Sequence, residues 1–312
     1  MFIANRKIFQ INNHLLTTIM KKVLFTIAFA ITTQICISQK ILISVDMEGL
    51  AGVVTDAQLG PSGFEYQRFR QFMTDEALAA IDGALEAGAK EIVVADAHGN
   101  GQNLLIERFP EDVKIIRSWP RRFGMVAGID ESFDGVMLIG YHSSTNNKEG
   151  VRAHTFSSAR LTNVSLNNTP VSEGMWAAMV TGHFGVPVIM VSGDNIAVKE
   201  VKNFVGDVET TIVKEAMGFH SAKTLTPSAA SKLIKESSFN AVKRIKDFKP
   251  YKVENPVELI VSFKHYQPSA ILDYFSIVER IDSHSIKFIG EAMVEVADFF
   301  VFLMEYGSSI EP

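Results

Sequence analysis

Four polar side chains stand where short apolar runs of the sequence end, and a fifth opens a run of small residues. The run Ile41–Val45 leads into Asp46 and Glu48, with Gly49 beside them. E-I-V-V-A at Glu91–Ala95 leads into Asp96-Ala97-His98, F-D-G-V-M-L-I-G-Y at Phe133–Tyr141 into His142, and Glu173 opens a run of small residues. Apolar runs of this length suit buried strands of a parallel sheet. The carboxyl ends of such strands lie along one edge, so residues far apart in sequence converge there. Three carboxylates and two imidazoles without a thiolate suit zinc, with manganese or cobalt as alternatives. An open zinc site takes about three protein ligands plus water, so five are too many for one ion. Two ions sharing a carboxylate would use them all, and paired ions ~3.5–4 Å apart clamp and activate a water for hydrolysis. Taken singly, a histidine at a strand end is more often a hydrogen-bonded loop residue, and Glu173 alone would be a routine first-turn helix acid. His183, His220, His265 and His284 pair with no acid in such a setting and read as ordinary residues.

The elements that must position these groups follow from periodicity. Apolar residues at helical spacing from Phe69 to Leu85 predict a helix over Tyr66–Ala87, closed by Gly88. Strands are expected at Glu91–Ala95, Val113–Arg117, within Phe133–Tyr141 and at Pro187–Ser192, with helices at Gly174–Phe184 and after Asp194. Val151–Asn168 reads as irregular extended segments around His154 that turn at Asn167-Asn168. The order β-α-β-β-β-α-β-α fits an α/β class chain, a three-layer α/β/α lobe on a mainly parallel sheet. Past about Glu209 the character changes to a smaller α+β lobe: a helix at Pro227–Lys246, strands at Val257–Phe263 and Ser285–Ile289, and helices at Ser269–Phe275 and Glu291–Met304. The expected division is therefore a catalytic lobe over 39–208 and a second lobe over 209–312.

Residues 1–38 differ from the rest. Their only charges are Arg6, Lys7, Lys21 and Lys22. The text M-K-K from Met20, the apolar run Val23–Ile31 and the small-residue exit to Ser38 read as a secretory signal, with cleavage after Ser38. Met20 is then the expected true start and residues 1–19 an upstream extension. The apolar run is short of the ~20 residues of a membrane span, so no stable membrane insertion is expected after cleavage, and an exported, periplasmic or secreted product is. Cys36, the single cysteine, leaves with the leader, so the mature chain has no disulfide and no thiolate ligand. It keeps 26 basic and 35 acidic residues, a net charge of −9, which argues against binding nucleic acid through a broad basic face.

Five runs carry a resemblance: S-V-D-M-E-G (Ser44–Gly49), A-D-A-H (Ala95–His98), L-I-G-Y-H (Leu138–His142), A-H-T-F (Ala153–Phe156) and V-S-E-G-M-W-A (Val171–Ala177). In this order, and with M-V-A-G-I-D at Met125 and P-V-I-M-V-S-G-D at Pro187, they resemble the zinc-dependent D-aminopeptidase family named for a bacterial dipeptide-transport operon. The resemblance implies metal ligands at Asp46, Glu48, His98, His142 and Glu173, with Asp46 bridging two zinc ions per chain. It places His154 at the family's catalytic histidine, where proton transfer or orientation is the expected work. It also implies a short peptide substrate with an N-terminal D-residue of the D-Ala type, and a homodecameric ring enclosing the active sites. The export leader departs from the family pattern, which begins almost at the first strand. Two other readings stand beside a binuclear zinc aminopeptidase. One is a metal-dependent hydrolase of another amide or a phosphoester, for which Arg152 and Arg160 near His154 could supply cations. The other is a non-catalytic exported metal-binding protein, against which five ligands for two ions count, since structural zinc sites are closed by four ligands each.

Overall fold

The computed structural model describes residues 39–306, and the expected leader lies outside them. In chain order the strands are β1 (Gln39–Val45), β2 (Ala89–Asp96), β3 (Lys114–Ile116), β4 (Gly135–Tyr141), β5 (Leu161–Leu166), β6 (Thr169–Pro170), β7 (Val188–Asp194), β8 (Glu209–Gly218), β9 (Ser221–Thr224), β10 (Val257–Phe263), β11 (Val278–Arg280) and β12 (Ser285–Gly290). The α-helices are α1 (Tyr66–Ala87), α2 (Glu173–His183), α3 (Asn195–Val205), α4 (Pro227–Lys243), α5 (Tyr266–Leu272) and α6 (Met293–Glu305).

Helix ends follow local chemistry. α1 stops at Gly88, whose φ of 117° is open to glycine and lets its N–H reach Ala84 O and Leu85 O. The Ser172 hydroxyl accepts from Met175 N at the start of α2, and Asp194 Oδ1 accepts from Ile196 N and Ala197 N at the start of α3. Thr226 caps α4, with Pro227 in the first turn, where its missing N–H costs nothing.

The large sheet has the order β3-β2-β1-β4-β7-β8-β9. All its neighbours are parallel except β8 and β9. β1 alternates its side chains between two cores. Ile41, Ile43 and Val45 pack with Met73 and Ala77 of α1 and Ile234 and Ala241 of α4. Leu42 faces the other way, into a core shared with Met175, Trp176 and Met179 of α2 and Val198 of α3. That second core continues into an antiparallel sheet, β11-β12-β10-β5-β6, through Leu166, Leu259, Val261 and, from α6, Phe300. Truncating a wholly buried residue such as Ile43 would cost roughly 2–5 kcal/mol, transfer and cavity terms together.

The chain changes sheets at places other than residue 208. β5 and β6 precede that residue yet belong to the small sheet, whereas β8 and β9 follow it and extend the large one. α4 likewise packs in the layer of α1. β8 hides this in sequence because its E-T-T-I-V-K-E-A-M-G text mixes buried and exposed positions without strict alternation. Smaller shifts occur at helix boundaries: the segment expected at Ser269–Phe275 is α5 at Tyr266–Leu272, and the last helix runs Met293–Glu305. Asn167 and Asn168 do form the turn between β5 and β6, both with positive φ (46° and 65°), the conformation of a tight hairpin turn.

Candidate active site

β1 has β2 on one side and β4 on the other, so the strand order reverses there, the place where open α/β sheets form their crevice. The register sets Val45 opposite both Asp96 and Ile139, which brings Asp46, the turn to His98, and His142 to one edge. Close approach is enforced at Gly49, whose N–H donates to Gly140 O at 2.7 Å. A Cβ on Gly49 would lie 2.0 Å from Tyr141 O, so no other residue fits. Asp96 braces the next turn: its carboxylate accepts from Asn103 N, Leu104 N and Asn103 Nδ2, and Asn103 Nδ2 also donates to His98 O. Glu173 enters from the first turn of α2.

Asp46, Glu48, His98, His142, His154 and Glu173 all converge. Each imidazole has one nitrogen tied to a backbone carbonyl, which can only accept. His98 Nε2–H donates to Leu59 O (2.7 Å), His142 Nδ1–H to Ser143 O (3.1 Å) and His154 Nδ1–H to Arg152 O (2.7 Å). The other nitrogen of each therefore points at carboxylates. His98 Nδ1 is 2.8 Å from Glu48 Oε2 and 3.3 Å from Asp46 Oδ1. His142 Nε2 is 3.4 Å from Asp46 Oδ2 and 3.2 Å from Glu173 Oε2, and His154 Nε2 is 3.8 Å from Glu173 Oε1. The rings of His142 and His154 stack at 4.0 Å. Glu173 Oε1 also accepts from Phe156 N.

Electrostatics show what a cluster this buried requires. Burial pushes the Asp46 carboxyl up to about 8, with Glu48 adding to the effect. For Glu48 burial is outweighed by the imidazole of His98, which drives it well below the usual carboxylate range. His142 is lifted to about 10, burial being overcome by Glu173 and Asp46, and His98 is raised well above its ordinary value by Glu48 and Asp46 in the same way. Of the three imidazoles only His154 moves down, through burial and the adjacent His142. Among the described residues, Asp46 Oδ2 and His142 Nε2 have no hydrogen-bond partner although both are buried. Donor atoms each about 2.0–2.1 Å from a tetrahedral ion stand about 3.3–3.4 Å apart, close to the spacings of His142 from Asp46 and Glu173 and of His98 from Asp46. The donor set thus fits divalent cations. Two groupings, Asp46/Glu48/His142 and His142/His154/Glu173, have donor atoms within 4.8 Å of one another. His98 stands outside both groupings, and His154 falls within one.

Above the cluster lies a cavity of about 290 Å³. Asp46, Glu48, His98, His154 and Glu173 line its floor; Trp119, Met125, Phe156, Phe300 and Met304 supply apolar walls, and Glu305 a further carboxylate. Sequence reasoning gave these residues no wall role: Trp119, Phe300 and Met304 have no spacing to mark them, and Met125 and Phe156 entered only as parts of the resembling runs. Among the described residues no lysine or arginine lines the cavity. Arg152 is engaged by Asp56 (2.5 Å) and His220 (3.1 Å), and Arg160 donates to Met304 O (2.7 Å) and Leu303 O (2.8 Å) at the end of α6.

Fold and site together define a metallohydrolase-like α/β protein with its donor cluster at the switch point of the large sheet. Residues 39–302 match the D-aminopeptidase peptidase family, and the chain belongs to that family. It is 32% identical over 227 residues to a D-aminopeptidase of Bacillus subtilis (strain 168), covering 73% of this chain and 82% of that one. Its fold is similar to the solved structure of the Zn-dependent D-aminopeptidase DppA from Bacillus subtilis, described as a self-compartmentalizing protease. The TM-score is 0.82 at 28% identity, over 88% of this chain and 100% of that chain.

Proposed function

We propose that this protein is a binuclear zinc aminopeptidase that removes an N-terminal D-residue, of the D-Ala type, from short peptides. The observation that carries the reading is Asp46, whose two oxygens face two different imidazoles, His98 and His142, on the floor of an acidic cavity. Asp46, Glu48, His98, His142 and Glu173 would hold the ions, Asp46 between them. When bound, zinc supplies Lewis acidity and a water activated for attack, and manganese or cobalt could substitute. His154 then has a defined task. Its Nδ1–H is committed to Arg152 O, so Nε2 takes up a proton and returns it to the leaving nitrogen. Glu305, the carboxylate of the cavity outside the ligand set, suits the ammonium of a free amino terminus. Among the described residues no lysine or arginine lines the cavity to meet phosphoryl oxygens, so the amide reading is favoured. The apolar walls receive the first side chain, and the family and its relatives support D stereochemistry.

Exposed Tyr266, Ile271, Tyr274, Phe275 and Ile277 on and after α5 make an apolar face that supports a homo-oligomer, a decamer by family resemblance. The basic-then-apolar leader supports export. The test is hydrolysis of D-Ala-Gly and D-Ala-D-Ala against their L isomers and p-nitrophenyl phosphate, with metal counted by elemental analysis. Two zinc ions per chain and turnover of the D peptides are expected. One ion with full activity, or preference for the phosphate ester, would overturn the reading. Amino-terminal sequencing of the expressed protein should find Gln39 first, and an intact Met20 on a cytoplasmic product would refute export.

A further inference from the structure

The loop that carries Asp46 and Glu48 is held from behind by a single buried ammonium. Lys214 lies on β8, three places from β1 in the sheet, and is 2% exposed. Its Nζ stands 2.5 Å from Glu48 O, 2.7 Å from Val53 O and 3.0 Å from Leu50 O. Three N–H donors thus meet three carbonyls of one loop, a match that a neutral amine, with two N–H groups, could not make. The same loop is tied twice more from outside: Ala51 N donates to Glu76 Oε1 (3.0 Å) and Gly52 N to Thr224 Oγ1 (2.8 Å). A buried charge is a poor way to add stability, since an apolar side chain of similar volume often does as well or better. What convergent charge-assisted bonds do provide is a fixed position.

We infer that Lys214 is a positioning residue for the Asp46–Glu48 pair. By fixing the Glu48 carbonyl and the turn beyond it, the ammonium sets the direction of both carboxylates before any ion arrives. This rests on reading Asp46 and Glu48 as metal ligands. Groups that orient ligands from outside typically govern about 10–100-fold in metal affinity.

The test uses the full chain with Lys214→Met, Lys214→Arg and Lys214→Ala, reading zinc affinity by chelator competition and amide exchange of Gly49 and Ala51 in zinc-free protein. Lys214→Met should fold, bind zinc about 10–100-fold more weakly and exchange both amides faster. Lys214→Arg should not recover wild-type affinity, because a planar guanidinium has no single nitrogen that can direct three protons to three carbonyls. In Lys214→Ala, propylammonium, which replaces the group removed, should restore affinity where propanol does not. Unchanged zinc affinity with unchanged exchange, or equal rescue by both additives, would overturn the inference, as would loss of folded protein in every variant. Should the wild type bind no zinc, the ligand reading fails by itself. The exchange arm still decides whether Lys214 orders the loop.

Discussion

At the scale of single residues, His154 and His142 stack yet are pushed in opposite directions. Burial and the neighbouring imidazole keep His154 unprotonated, and a bound dication adds charge of the same sign. Its proton-accepting form should therefore persist to below pH ~6.5. His154→Ala is expected to keep the fold and metal content while turnover falls roughly 10²–10⁴-fold and the acidic limb of the pH–rate profile disappears. Loss of metal from that variant would make His154 a ligand, in line with its place beside His142 and Glu173. His142 and Asp46 behave differently. In the ion-free chain they hold protons up to about pH 10 and about pH 8 respectively, and a cation must displace them. Zinc affinity should then climb from pH 6 to pH 8, and calorimetry in buffers of different ionisation heat should register net proton release. Affinity that is flat with pH would contradict this. Asp46→Ala should lose more metal than any other single ligand change, because it faces both imidazoles.

Among the elements, α1 carries a carboxylate with no catalytic task. Glu76 is wholly buried, its Oε1 accepts from Ala51 N, and burial pushes its carboxyl up to about 7. A carboxyl whose folded pKa exceeds its unfolded value stabilises the fold fully below the unfolded value, near 4.5, and loses that contribution as pH rises through about 7. Glu76→Gln keeps the acceptor and cannot ionise. Measured by urea unfolding, its stability relative to wild type should improve between pH 5 and pH 9 by up to about 3 kcal/mol; an unchanged difference would refute the assignment. Nothing in the text of α1 marks Glu76, since one acid among apolar positions reads as a solvent-facing residue. Lys214 was illegible for the same reason on β8. The ligand-bearing strands, by contrast, could be read, because each is a short apolar run ending at the edge where α/β sheets bind ligands. His154 was legible only through the A-H-T-F resemblance. Its segment has no period, and it turns through Arg152 and Phe156 at φ values of 54° and 60°, which hydrophobic patterning does not encode.

For the whole molecule, the exposed face around α5 sets an expectation about assembly. Light scattering should find particles several times the 34.5 kDa of one chain, allowing for the leader. Tyr274→Glu with Ile277→Lys, both side chains largely exposed, should shift the population toward smaller species while leaving zinc content unaltered. A monomeric wild type would remove the basis for that interface. Within one chain, the path between His154 and Glu173 has a wider consequence. After His154 the backbone leaves the floor of the cavity, builds β5 and β6 in the antiparallel sheet, and returns to open α2 at Glu173. The same sheet is backed by α6, whose Phe300 and Met304 form a cavity wall. The proposed ligands and part of the cavity wall thus come from separate layers of one chain, joined through an eighteen-residue excursion. On the proposed function, changes at Phe300 or Met304 would reshape which side chains are admitted while the Asp46–His142 edge stays untouched, so diet could change without the reaction being relearned.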